Sequence, residues 1–93
     1  MSEKHPLTTT QREIVETCDG ISALLLEKNR KYGDSALNPI RIFSNADSVE
    51  QLKVRIDDKL SRIRNTQHDE DEDVIDDLIG YLVLLKIAQK RKL

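Results

Sequence analysis

Apolar residues recur at helical spacing in the first third of the chain, on one face formed by Ile14, Cys18, Ile21 and Leu25 and widened by Leu24 and Leu26. Thr10 and Glu13 have the spacing of a capping box just ahead of this face. The pattern predicts a first helix from near Gln11 to about Tyr32, with Gly33 as a C-terminal stop. The apolar face is either part of the core or an interface.

A second apolar face with helical spacing follows in the middle of the chain, formed by Val49, Leu52, Ile56, Leu60 and Ile63. Ser48 and Gln51 have the spacing of a second capping box, so we predict a helix from about Val49 to Arg64. Residues 34–47 between the two helices form a long loop rich in Ser, Asn and Asp. Its apolar Ile40, Ile42 and Phe43 predict that it packs onto the helices, as a functional loop or as a plug for a small core.

The last third of the chain predicts a third helix from about Asp71 to Lys90. Its apolar arc consists of Val74, Leu78, Tyr81, Leu82 and Leu85. The acidic run 69–73 ahead of it favours the positive end of a helix dipole. Since no alternating strand pattern appears, the predicted fold is all-α, a small bundle of three main helices.

Length and composition predict one domain with a thin core. The chain has 93 residues, 38% hydrophobic and 3% aromatic, and a domain this small buries little surface of its own. We therefore expect residues 1–10 to be a flexible N-terminus and residues 11–93 to be a single helical domain completed by oligomerisation, as a dimer or larger assembly.

Charge and hydropathy exclude several classes of protein. The formal net charge of −2 gives no basic field for coating nucleic acid, so no direct nucleic-acid partner is expected. No apolar stretch is long enough for a membrane-spanning helix. With one cysteine and no signal-like start, we expect a cytoplasmic protein. Cys18 lies on the first apolar face, which favours an inert core thiol over a nucleophile, and His5 and His68 lack zinc-ligand neighbours.

Polar residues interrupt the helical faces at positions that face other helices. Asp77 lies beside the apolar arc of the third helix, and Lys59 lies at the edge of the second face, within the charged flank Arg55, Asp58, Lys59 and Arg62. A desolvated carboxylate needs a cation, a metal or a proton. Two alternatives stay open: an ion-pair network, or a site where aspartates hold Mg²⁺ while Lys and Arg bind phosphate.

Three ordered local words carry a resemblance to a known family: Lys28-Asn29-Arg30-Lys31-Tyr32-Gly33-Asp34-Ser35, Arg55-Ile56-Asp57-Asp58-Lys59-Leu60-Ser61-Arg62, and Asp73-Val74-Ile75-Asp76-Asp77-Leu78-Ile79-Gly80-Tyr81. Over about residues 24–88 the chain resembles the phage and bacterial nucleotide modification associated domain 1 family. That family is similar to the all-α nucleoside triphosphate pyrophosphohydrolases of the MazG and dimeric dUTPase type, which are oligomers that use Mg²⁺.

The resemblance implies a role for particular residues. Its candidate metal ligands are Asp58, Asp73 and Asp77, with Glu27 a weaker one, and Asp73 and Asp77 are its candidate catalytic residues. Its candidate nucleotide contacts are Lys28, Asn29, Tyr32, Arg55, Lys59 and Arg62. One departure is that Val74 stands three residues before Asp77, where the pyrophosphohydrolases carry Glu.

Three functions follow as expectations. The first is a phage-type, Mg²⁺-dependent pyrophosphohydrolase-like protein that binds a nucleotide, in the cytosol of a bacterial host. The second is a non-catalytic protein that sequesters a cyclic or ADP-ribose-type signal against host defence. The third is a helical oligomeric scaffold whose polar residues specify assembly.

Overall fold

The computed structural model describes residues 5–39, 46–65 and 73–92. Within these ranges the chain forms three α-helices and no strand: α1, Thr9–Tyr32; α2, Ser48–Arg64; and α3, Val74–Lys92. The all-α prediction is confirmed, with every helix near its expected place. None of the three helices is long and apolar enough to cross a membrane.

The helices begin at caps one or two residues from the predicted ones. In α1 the capping box is Thr8 with Gln11: the Thr8 hydroxyl accepts from the Gln11 backbone at 3.1 Å, and the Gln11 side chain accepts from the Thr8 backbone at 2.9 Å. The predicted box at Thr10 is therefore wrong, because an equivalent Thr-x-x-Gln word lies two residues earlier. Gly33 ends α1 with φ of 70°, as its position predicts.

Aspartates cap the other two helices. Asp47, and not Ser48, caps α2 by accepting from the Glu50 backbone N–H at 2.9 Å. Asp73 does the same for α3, where its carboxylate accepts from the Asp76 N–H at 3.0 Å. The predicted start of α3 at Asp71 and the acids 69–72 lie outside the described residues.

The core lies between α2 and α3, which pack along one another. Its buried centre is Val49, Leu52 and Ala88, and residues packed against it include Leu84 and Leu85. The predicted faces are covered only in part, since Leu60, Ile63 and Leu82 stay 41–49% exposed. Each of these residues lies on the predicted face of its helix, where no neighbouring helix covers it.

The loop after α1 packs against this core through Ala36 and Leu37. The Asp34 carbonyl accepts from the backbone N–H groups of Leu37 and Asn38, at 3.2 and 2.8 Å, which folds the loop start into a turn. This part of the packing prediction is confirmed. The residues on which that prediction rested, Ile40, Ile42 and Phe43, lie outside the described residues.

Helix α1 packs on α3 through its second half. Gly80 of α3 leaves room for Leu25, whose side chain would lie 2.7 Å from a Cβ built on that glycine. Every residue from Thr9 to Gly20 is exposed, and burial begins at Ile21. The prediction that Cys18 is a core residue is wrong, since its thiol is exposed on this uncovered segment.

Candidate functional site

An open cavity of about 310 Å³ lies where the end of α1, the start of the loop, α2 and the first half of α3 meet. Its charged and polar lining residues come from all four segments: Lys28, Asn29, Tyr32, Asp34, Ser35, Arg55, Asp76, Asp77 and Tyr81. Leu25, Gly80 and Leu84 supply apolar wall. The cavity thus combines cations, carboxylates and aromatic rings, as binding sites for small polar molecules do.

Asp77 is the ionic centre of this region. Its Oδ1 accepts a hydrogen bond from the Nζ of Lys28 on α1 at 2.9 Å, and its Oδ2 lies 3.2 Å from the Nζ of Lys59 on α2. The Asp77 side chain is only 17% exposed. One carboxylate therefore links all three helices by charge.

The pKa of Asp77 reflects two opposing effects. Burial raises the pKa of its carboxyl, but the hydrogen bonds and positive charges of Lys28 and Lys59 together outweigh burial and hold the pKa below its usual range. Asp77 is therefore an anion at neutral pH. Because lysines contact both of its oxygens, Asp77 stabilises the packing of the helices and positions Lys28.

Lys59 is the most buried charged residue among those that the structure describes, with a side chain 11% exposed. Its position at the edge of the α2 face lets the aliphatic stem lie along the core while the ammonium reaches Asp77. The prediction that Lys59 reaches between helices is confirmed. Lys59 does not itself line the cavity and acts on it through Asp77.

Lys28 differs from Lys59 in exposure, since its side chain is 46% exposed and faces the cavity. An ammonium has three N–H donors, and the Lys28 bond to Asp77 uses one of them. Lys28 can therefore keep its ion pair and still donate to a bound anion.

Asp34 ties the rim of the cavity together. The Asn29 side chain donates to its Oδ1 at 3.3 Å, and the Asn38 side chain donates to its Oδ2 at 2.6 Å. Arg91 of α3 approaches the same carboxylate at 3.9 Å. Because Asp34 follows the C-terminal stop of α1, these contacts hold the loop start against α1 and α3.

Two tyrosines bring aromatic faces to the cavity. The Arg55 guanidinium carbon lies 6.0 Å from the ring centroid of Tyr81, which sets α2 over α3 at this end. Tyr32 is 63% exposed, and the Lys31 ammonium lies 5.3 Å from its ring centroid. Both distances are within cation–π range. Arg55 is thereby held beside the cavity with its guanidinium accessible.

Of the predicted site residues, the structure brings five to the cavity: Lys28, Asn29, Tyr32, Arg55 and Asp77. The others lie elsewhere. Arg62 is 3.4 Å from Asp58, one turn away on α2, and neither residue lines the cavity. Asp73 caps α3, and Glu27 is exposed and paired with Arg30 at 2.9 Å.

The predicted metal ligands thus make different contacts. Asp58 pairs with Arg62, Asp73 caps α3, and Asp77 pairs with two lysines. Across residues 5–39, 46–65 and 73–92, no three His, Cys, Asp or Glu side chains form a group that could hold a metal ion. Asp77 pairs with Lys59 and Asp58 pairs with Arg62, as the alternative of an ion-pair network predicts.

Sequence reasoning missed four polar residues that line the cavity: Asp34, Ser35, Asp76 and Tyr81. Tyr81 was predicted only as part of the apolar arc of the third helix. Asp34 and Ser35 follow Gly33 in the first sequence word, but no helical period extends to them. Asp76 lies outside the apolar arc predicted for the third helix, yet it is half-buried and lines the cavity beside Asp77. Its position in the first turn of α3, near the end of α1, accounts for the difference.

Similarity to known proteins adds nothing to this geometry. No protein-family model, curated protein or solved structure matches the chain. The family resemblance in the three sequence words stays a prediction. The class defined by fold and site is an all-α protein with a mixed-charge cavity of small-molecule size.

Proposed function

We propose that this protein binds a nucleotide in the cavity between its three helices. The observation that carries the proposal is that Lys28 of α1 and Arg55 of α2 line the same cavity as the rings of Tyr32 and Tyr81. Guanidinium and ammonium groups bind phosphate oxygens, and tyrosine rings offer faces for a base. This combination matches the two chemically different ends of a nucleotide.

The size of the cavity supports this proposal. Small-molecule sites typically have volumes of about 300–1,000 Å³, and the cavity volume of about 310 Å³ is at the lower end of that range. A mononucleotide fits this scale better than a large dinucleotide. We therefore expect a ligand with one base and an exposed phosphate end.

The ion pairs around the cavity leave Lys28 and Arg55 able to bind a ligand. Lys59 and Lys28 both contact Asp77, so its negative charge is compensated from within the protein. Asp34 accepts hydrogen bonds from the neutral amides of Asn29 and Asn38, with Arg91 at 3.9 Å. Lys28 can then donate to a phosphate while it stays paired with Asp77.

Binding without turnover is the function that this arrangement supports best. Asp77, the predicted catalytic residue that lies in the cavity, is already bonded on both oxygens by lysines. Asp73, the other predicted catalytic residue, caps a helix. We therefore favour a nucleotide-sequestering protein over a pyrophosphohydrolase.

Hydrolysis is the second candidate, favoured by one observation. Asp76 and Asp77 line the cavity side by side, and Mg²⁺ in nucleotide sites is commonly held by one or two carboxylates together with the substrate phosphates. A metal brought in by the nucleotide would need fewer protein ligands than a dedicated site. Product analysis separates this candidate from binding alone.

The test is thermal unfolding with mono-, di-, tri- and cyclic nucleotides, each with and without Mg²⁺, followed by chromatography of the mixture. A ligand at 100 times its dissociation constant stabilises the folded state by about 2.7 kcal/mol. We expect stabilisation by at least one nucleotide, with that nucleotide recovered intact. Recovery of monophosphate and pyrophosphate supports the enzyme instead. No stabilisation by any nucleotide contradicts the proposal.

A further inference from the structure

The first half of α1 is a helix without cover. Residues Thr9–Gly20 of this 24-residue helix are exposed, and the apolar Ile14 and Val15 are 56% and 47% exposed. In proteins most helical stability comes from the packing of an amphipathic face. Packing of this exposed apolar face against another surface would therefore stabilise the segment.

The uncovered apolar residues belong to a coiled-coil-like seam. Ile14, Cys18, Ile21 and Leu25 are separated by steps of four, three and four residues, which is the spacing of alternating d and a positions in a heptad. Ile21 is buried, and Leu25 meets Gly80 of α3. The same seam is thus packed inside the molecule at its C-terminal half and bare at its N-terminal half.

Charge along α1 is arranged so that an identical helix can approach the seam. The positions flanking Ile14 and Cys18 in the heptad are uncharged: Thr10, Val15, Thr17 and Ser22. The charged residues of this half fall on the opposite side of the helix: Arg12, Glu13, Glu16 and Asp19. A second copy therefore meets no like charge across the seam, whereas a charged partner finds no complementary charge there.

The exposed area of the chain is large for its mass. The chain exposes 7821 Å², whereas a compact monomer of its 10.7 kDa mass exposes about 5,500 Å². Its radius of gyration is 16.3 Å, against about 12 Å for a compact domain of this length. A standard interface buries about 800 Å² on each partner. Part of this exposed surface is the uncovered face of α1, where Ile14 and Val15 lie.

We propose that two copies of this chain associate through the N-terminal halves of their α1 helices, which pack antiparallel along Ile14 and Cys18. The antiparallel arrangement repeats the same patch on both copies, as a two-fold interface requires. It also places the two α2–α3 bodies at opposite ends of the pair. The cavity lies at the other end of α1, so this interface stands apart from the proposed nucleotide site.

The test is the mass of the protein in solution, measured by analytical ultracentrifugation from micromolar to millimolar concentration. We expect a dimer for the wild type and a rise of about tenfold or more in the dissociation constant for Ile14→Glu. The matched control is Val54→Glu, which places the same charge at an apolar α2 residue that is 67% exposed and lies off the seam. This control should leave the dimer intact.

The reactivity of the native cysteine gives a second measurement that needs no variant. Cys18 is exposed in the single chain, so its alkylation by a maleimide should slow as protein concentration rises and the pair forms. A wild type that is monomeric throughout overturns the proposal and leaves the seam to a different partner. A dimer that resists Ile14→Glu, dissociates with Val54→Glu, or alkylates Cys18 at one rate at every concentration also overturns it.

Discussion

At the scale of single residues, Asp77 is the group on which the ion pairs between the three helices depend most. Its two oxygens contact ammonium groups from α1 and α2, and its own backbone belongs to α3. Lys59 is nearly buried, so its charge has poor access to water. Removing the carboxylate charge takes an anion away from this buried cation, which is costly.

We predict that Asp77→Asn lowers the free energy of unfolding by about 1–3 kcal/mol, because the amide cannot compensate Lys59. Urea denaturation of both proteins measures this difference. Asp76→Asn is the matched control, since Asp76 is the adjacent carboxylate and has no such buried partner among the described ion pairs. An Asp76→Asn variant as destabilised as Asp77→Asn would contradict this account of the ion pairs.

The lowered pKa of Asp77 predicts how stability depends on pH. The carboxyl binds its proton more weakly in the folded chain than in the unfolded one, where the pKa is about 3.9. Its contribution is therefore fully present above about pH 4 and is lost as the pH falls through the lower folded value. The gap in unfolding free energy between wild type and Asp77→Asn should shrink on acidification. An equal difference in unfolding free energy at about pH 7 and about pH 3 would contradict the lowered pKa of Asp77.

Residue-level prediction from the sequence succeeded where a helix period could be projected. The positions of Asp77 and Lys59 beside apolar arcs predicted that they point between helices, and they form an ion pair. The contacts of Asp34 could not be predicted, because they join a loop residue to Asn29 and Asn38 through a turn. A turn of this kind has no sequence period to project.

At the scale of the elements, helix starts depend on which of several capping residues is used. Thr8 and Thr10 both lie at the start of α1, and Asp47 and Ser48 both lie at the start of α2. All four can accept a hydrogen bond from a first-turn N–H, so sequence alone predicts a start within a residue or two. The structure selects Thr8 and Asp47.

Asp73 is also a capping residue. Its variants can therefore distinguish a structural role from the predicted catalytic role. We predict that Asp73→Ala costs about 1 kcal/mol of stability, while Asp73→Ser keeps most of it, because serine also caps helices. Thermal unfolding of the two variants measures the difference. If both variants bind the nucleotide like the wild type, Asp73 acts only as a cap. Loss of nucleotide binding in a stable Asp73→Ser variant would show that Asp73 also takes part in the binding site.

At the scale of the whole molecule, three helices and their approximate bounds were predicted from apolar periodicity. What covers each face could not be predicted, because a period identifies a buried side but not its partner. The α1 face shows the difference most clearly: Ile21 is buried, while Ile14 on the same face is 56% exposed. For the site, five predicted residues meet in the cavity, but Arg62 and Asp58 pair with each other outside it.

Arg55 and Arg62 provide the most direct test of the cavity as a nucleotide site. Both are arginines of α2 in the same sequence word, but only Arg55 lines the cavity. A charge-assisted hydrogen bond is worth about 1.5–3 kcal/mol. Replacing Arg55 should therefore weaken binding at least about tenfold.

The decisive measurement is isothermal titration of the best-stabilising nucleotide into wild type, Arg55→Gln and Arg62→Gln. We expect Arg55→Gln to raise the dissociation constant by about tenfold or more, and Arg62→Gln to leave it within about twofold of the wild type. Unchanged affinity in Arg55→Gln, or a larger loss in Arg62→Gln, would contradict the claim that the nucleotide binds in this cavity.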